Sequence, residues 1–117
     1  IGLKAALAGE LDSYEGGPGG AIVADSRGVD VKVIGCSWLT VPHGIFVHDD
    51  ITAMSQLKGK TIAISAPGSF PDILARGALA KFKVPEDSVK FATVGGDLDR
   101  YKALVAHVVD AAVVSGE

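Results

Sequence analysis

A chain of 117 residues that is 48% hydrophobic and 21% charged has material for one modest core and too much apolar content to be disordered. Fourteen acidic against eleven basic residues leave a formal charge of −3 without any basic run, which argues against a nucleic-acid partner. The most apolar stretch, 104–114, contains His107 and Asp110 and is far shorter than a bilayer span, so no membrane helix is expected.

In chain order, a helix pattern over 3–8 is stopped by Gly9, and 11–14 is a strand candidate running into Gly16-Gly17-Pro18-Gly19-Gly20. A helix over 21–27 with Gly28 as its stop and a strand over 31–36 follow. Cys36, the single cysteine, excludes an internal disulfide and a cysteine metal cluster, and its role stays open. Residues 37–50 alternate apolar and polar around Pro42 and Gly44, which suits an extended crossing segment or a hairpin. Nothing over 49–56 reads as core, so a boundary is expected near Asp50.

Downstream the pattern predicts strand 61–65, helix 72–83, strand 88–94, helix 98–107 and strand 110–115. Strands alternating with helices imply parallel pairing and right-handed crossovers. Lys4, Ala5, Ala8 and Asp12 recur at one fixed offset as Lys102, Ala103, Ala106 and Asp110, an internal echo of a helix–turn–Asp–strand unit. Gly9 in the first copy corresponds to His107 in the second, which marks His107 as a helix cap rather than a catalyst. Residues 1–7 read as the interior of a helix, and strand 110–115 ends where a ligand loop would begin, so the chain is expected to be part of a longer protein.

The most informative run is 57–72. A short buried strand is delivered into Pro67-Gly68-Ser69 and a helix start, the junction at which α/β proteins hold small polar ligands on unpaired backbone amides. Leu57-Lys58-Gly59-Lys60-Thr61-Ile62-Ala63-Ile64, Pro67-Gly68-Ser69 and the stretch from Leu104 to Val113 resemble the solute-binding proteins of ABC importers. The similarity is to the NMT1/THI5-like group, which includes binders of alkanesulfonates, taurine, nitrate and thiamine-precursor pyrimidines.

This resemblance implies a two-lobed α/β fold of the type II periplasmic-binding-protein kind. Parallel-sheet lobes are joined by crossing strands, with an incomplete first lobe over 1–50 and a second over 51–117. It further implies capture of a small polar or anionic organic solute between the lobes, a transporter permease as partner, and a periplasmic or extracellular location. No cofactor and no metal are called for.

Such a trap needs converging donors rather than a nucleophile. Gly16, Gly17, Pro18, Gly19 and Gly20 let backbone approach a ligand on the first lobe, and Pro67, Gly68 and Ser69 do so on the second. Both clusters also read as ordinary turns, and Ser69-Phe70-Pro71-Asp72 fits a capping box. An acid at Asp72 beside the site would favour a neutral or zwitterionic solute. Tyr14, Trp38 and Phe70 are candidates to flank the solute, with core, hinge or staple packing as the rival reading. Ser115 ends the last strand at the same edge. Glu15 either accepts from a ligand amine or faces solvent, and Asp97-Leu98-Asp99 caps a helix.

His43, His48 and His107 are scattered, and no His-Glu-x-x-His, paired-Cys, nucleophile-elbow or phosphate-loop spacing occurs. The pattern therefore reads as a binding protein rather than an enzyme. An enzyme on the same two-lobed plan, as in menaquinone biosynthesis, and the effector-sensing half of a transcription regulator are the alternatives.

Overall fold

The computed structural model describes residues 2–38 and 40–116. Ile1 and Leu39, which fall in the predicted first helix and crossing segment, lie outside the described residues. The chain divides into two compact units, Ile1–Leu39 and Thr40–Glu117.

In the first unit, helices α1 (Gly2–Leu7) and α2 (Gly19–Ser26) form where the sequence places them. The strands predicted at 11–14 and 31–36 do not form. A strand's backbone groups need a neighbouring ladder, and neither segment pairs with a strand among the described residues. None of the described residues of this unit is buried.

The second unit is built on a four-stranded sheet in the order β1-β4-β2-β3. Strand β1 is His43–Val47, β2 is Thr61–Ile64, β3 is Lys90–Thr93 and β4 is Ala111–Ser115. Strand β2 is parallel to both β3 and β4, whereas β1 runs antiparallel to β4, with His43 opposite Ser115 and Val47 opposite Ala111. The segment expected to cross or turn back thus contributes a strand to this sheet.

Helices α3 (Phe70–Lys81) and α4 (Asp97–Val105) cover the two faces. Ala75 and Leu79 of α3 pack with Leu57, Ile62, Val113 and Ile51 in one cluster, and Leu104 of α4 packs with Ala63, Ala112 and Val109 in the other. Ile51 is 8% exposed and Met54 packs beside it, so 49–56, read as lacking core residues, supplies an anchor. Its polar residues conceal this: Gln56 Oε1 accepts from the amides of Thr52 and Ala53 at 2.7 and 2.9 Å, folding the segment into a 3₁₀ turn whose one apolar side faces inward.

Two local devices set the geometry. Lys58 at φ −58°, ψ 128° and Gly59 at φ +78° form a type II turn closed by Lys60 N donating to Leu57 O at 3.0 Å, which only glycine enters without strain. It turns the chain from fully buried Leu57 into β2. At the helix ends, Gly9, Gly28, Lys83 and His107 take φ values of +75°, +83°, +57° and +55°. At each, the amide after the positive-φ residue reaches back to a carbonyl one turn earlier: Glu10 to Ala5, Val29 to Ala24, Val84 to Leu79 and Val108 to Ala103, at 2.9–3.1 Å. All four helices therefore end in the same 6→1 motif, and His107 is the cap the sequence predicts.

Candidate ligand-binding rim

In open parallel sheets, ligands bind outside the carboxyl ends of the strands, where strand-to-helix loops converge. Here that edge of the second unit carries the turn after β2 (65–69), the turn after β3 (94–96), the end of β4 at Ser115, and the start of antiparallel β1 at His43. The structure thereby brings Ser69, Phe70 and Ser115 to one rim, and Phe70 meets His43 edge-on with ring centroids 5.0 Å apart.

The β2–α3 turn satisfies itself to a large degree. Ser69 is the N-cap, and its Oγ accepts from the amides of Asp72 and Ala66 at 3.5 and 3.4 Å. Gly68, at φ +74°, donates its amide to Asp72 Oδ2 at 2.7 Å, and Ser69 N donates to Ala66 O at 3.1 Å. Pro67 and Pro71 have no N–H, and the Phe70 amide has no hydrogen-bond partner among the described residues. Pro67 and Gly68 are exposed, and Ser69 and Phe70 are half-buried.

Asp72, whose side chain is 5% exposed, pairs with Arg76 Nε at 2.7 Å, and Arg76 also meets Glu86 and lies 4.3 Å over the Phe91 ring. Asp72 thus has a charged partner, although it shares the single Arg76 guanidinium with Glu86.

A second network fixes the β3–α4 turn. Arg100 is 2% exposed, donates from Nε to Val113 O at 2.6 Å, and reaches Gly95 O and the Asp97 carboxylate with its remaining nitrogens. Asp97 Oδ2 accepts from the Ser115 hydroxyl at 3.0 Å. Sequence reasoning did not single out Arg100. The Asp97/Arg100 spacing was its only signal, and an arginine on a helix defaults to the surface. A recess of about 420 Å³ beside this network is lined by Phe46, Asp97, Leu98, Tyr101, Val114 and Ser115.

The remaining candidates sit in the first unit. Tyr14 packs its ring over Gly2, where a Cβ would stand 2.8 Å from the ring, and over Gly16 at 3.0 Å. Ser37 Oγ donates to Glu15 Oε1 at 2.6 Å, and Cys36 Sγ to Trp38 O at 2.8 Å, so the Tyr14–Gly16 loop and the Trp38 segment are neighbours. Trp38 is 52% exposed. Helix α2 begins after Pro18 without a side-chain cap, and Gly16, Gly17 and Pro18 are exposed ahead of it. Its first amides, unlike those of α3, have no side chain competing for them.

At the opposite end of the sheet, His48, Asp49, Asp50 and His107 line a recess of about 460 Å³. No group of three or more His, Cys, Asp or Glu among the described residues is placed to hold a metal ion.

A family model described as NMT1/THI5 like matches residues 9–116. The chain belongs to the NMT1/THI5-like family. A solved structure of a protein from Bordetella bronchiseptica RB50 superposes with a TM-score of 0.80 at 23% identity, over 97% of this chain and 37% of that one. The chain thus spans a little over a third of the length of the structure it matches, with which it shares its fold. No curated protein matches the chain. NMT1/THI5-like proteins are chiefly binding proteins for small solutes, and no helix among the described residues is long and apolar enough to cross a membrane.

Proposed function

We propose that this NMT1/THI5-like chain is part of the solute-binding component of an ABC importer, which captures a small polar or anionic organic solute and performs no reaction of its own. The observation that carries the reading is family membership over residues 9–116, supported by a strand-end rim that offers hydrogen-bond donors beside acids held by Arg76 and Arg100. Tyr14, Gly16, Gly17, Pro18, Gly19 and Trp38 on one unit, and Pro67, Gly68, Ser69, Phe70 and Ser115 on the other, are the proposed contacts. The uncapped start of α2 supplies amides, and the Phe70 amide and Ser69 hydroxyl supply the second set.

Recognition would proceed by shifting the population of a closed form that only a bridging solute stabilises. The partner would be a transporter permease and the location periplasmic or extracellular. The test is a thermal-shift panel on the intact protein with sulfonates, carboxylates, nitrate, pyrimidines and amines. A rise in melting temperature with one chemical class is expected, and no shift with any member would overturn the reading.

A further inference from the structure

The solute-binding reading gives His43 no task, yet the ring occupies a telling position. It is the first residue of β1, opposite Ser115 at the strand-end rim, and it stands edge-on to Phe70. The ring is half-buried, and its Nδ1 is fully enclosed with no hydrogen-bond partner. Nε2 is bonded to none of the described residues.

A neutral imidazole carries its proton on one nitrogen and a lone pair on the other. An enclosed N–H without an acceptor forfeits a full hydrogen bond, so the proton belongs on whichever nitrogen has access to a partner. The enclosed Nδ1 is then the lone pair, and Nε2 carries the proton as a donor. Phe70 packs edge-on against the ring and restricts its rotation.

From this geometry we infer that His43 is a solute-contacting, specificity-determining residue, whose Nε2–H donates to an acceptor atom of the bound solute. The inference rests on the solute-binding reading and narrows its substrate class. The solute would present an acceptor, a sulfonate or carboxylate oxygen or a pyrimidine ring nitrogen, beside an apolar or aromatic surface packed on Phe70. Pairing softens the rim's acids towards such a group: Asp72 shares Arg76 with Glu86, and Asp97 is paired with Arg100. A solute with donors only, such as a simple alkylamine, would leave Nε2–H unpaired and be rejected.

Two measurements test it on the intact protein. Nitrogen-15 NMR of the imidazoles is expected to show His43 as the Nε2–H tautomer, and an Nδ1–H tautomer would overturn the inference whatever binds. Calorimetric titration with ethanesulfonate, taurine, benzoate, nitrate and a 4-aminopyrimidine then compares wild type with His43→Gln and His43→Phe.

Gln places an amide donor near the Nε2 position, whereas Phe keeps the ring and removes the donor. For the probe that binds wild type, His43→Phe is expected to lose about tenfold in affinity, the cost of one unmade hydrogen bond, while His43→Gln retains most of it. Because Phe also removes the unpartnered Nδ1, its melting temperature without solute should match or exceed wild type, so lost binding is not lost folding. Unchanged affinity in His43→Phe overturns the assignment and leaves the solute-binding reading standing. Failure of every probe on wild type overturns both.

Discussion

The imidazoles of His48 and His107 stack with centroids 3.9 Å apart and planes 8° from parallel. The stack joins the end of β1 to the residue that terminates α4, and it bears on why a histidine occupies a left-handed position at φ +55°. Lys83 holds the equivalent position after α3 at φ +57° with no such ring partner.

Left-handed backbone costs an ordinary residue about 1 kcal/mol that glycine avoids. Lys83→Gly is therefore expected to stabilise the protein by about 1 kcal/mol. His107→Gly relieves the same strain but forfeits a ring contact of about 0.5–1.5 kcal/mol, so it should be close to neutral. His107→Ala keeps the strain and loses the contact, and should fall about 1 kcal/mol below His107→Gly. Urea midpoints of the three variants check the ordering, and an equal gain for both glycine variants would show that the stack contributes nothing.

Asp110 ties the start of β2 to the start of β4. Its Oδ2 accepts from Thr61 N at 2.9 Å, its own amide donates to Thr61 O at 3.0 Å, and Oδ1 lies 3.4 Å from Lys60 Nζ. The Thr61 hydrogen bond holds the carboxyl below the ordinary aspartate range against the opposing pull of burial, and the charges of Lys60 and His48 assist. A carboxyl depressed in the folded state contributes stability that is complete above the ordinary aspartate pKa near 3.8 and is lost as pH falls through the folded value. Asp110→Asn should be less stable than wild type at pH 6, and the gap should close on acidification below the usual aspartate range. Chemical denaturation at pH 6, 4 and 3 reads this, and a gap that stays constant would refute it.

Strands β2, β3 and β4 of the second unit were legible because they are short apolar runs bounded by turn residues and linked by helical crossovers, whereas β1, antiparallel at the sheet edge, read only as a crossing segment or hairpin. The positive-φ caps at Gly9 and His107 followed from matching two copies of one unit, whereas Lys83 carried no such signal. The first unit was misread at 11–14 and 31–36, neither of which has a ladder partner among the described residues, a tertiary condition that even the β-prone Val31, Val33 and Ile34 do not encode.

Arg100 was hidden by a different mechanism. Leu98, Tyr101 and Val105 form an apolar stripe on α4 that suggests a core face, yet they are 62%, 54% and 58% exposed, while Arg100 and Leu104 turn inward. Three main-chain and carboxylate acceptors at the rim decide the orientation of the helix, and they become visible only once β4 and the β3–α4 turn are placed together.

That orientation makes Arg100 a sensitive position. Arg100→Met keeps much of the side-chain volume but strands Val113 O and Gly95 O and frees Asp97 from its partner. Val113 O is left buried and unpaired, whereas Gly95 O and the Asp97 carboxylate, 43% exposed, regain water, so the loss is expected to be about 2 kcal/mol. Arg100→Lys keeps the charge but cannot donate in three directions from a planar fork, so it should recover only part of the loss. Equilibrium unfolding measures both, and a loss under about 1 kcal/mol for Arg100→Met would show that the network is dispensable.

Ser69 carries two proposed tasks that one pair of substitutions separates. As N-cap its Oγ accepts from Asp72 N, a contact whose removal in Ser69→Ala should cost about 1 kcal/mol. Glycine at an N-cap costs only a few tenths of that, because the exposed amides are hydrated in place of the lost side chain. Ser69→Gly therefore deletes the hydroxyl while nearly preserving α3. If Ser69 contacts solute, both variants should lose affinity equally, by about tenfold, although only Ser69→Ala loses stability. If the hydroxyl serves the helix alone, Ser69→Gly should bind like wild type, and any weakening in Ser69→Ala would track its loss of fold. Parallel calorimetric titration and thermal melts of the two variants decide between these outcomes.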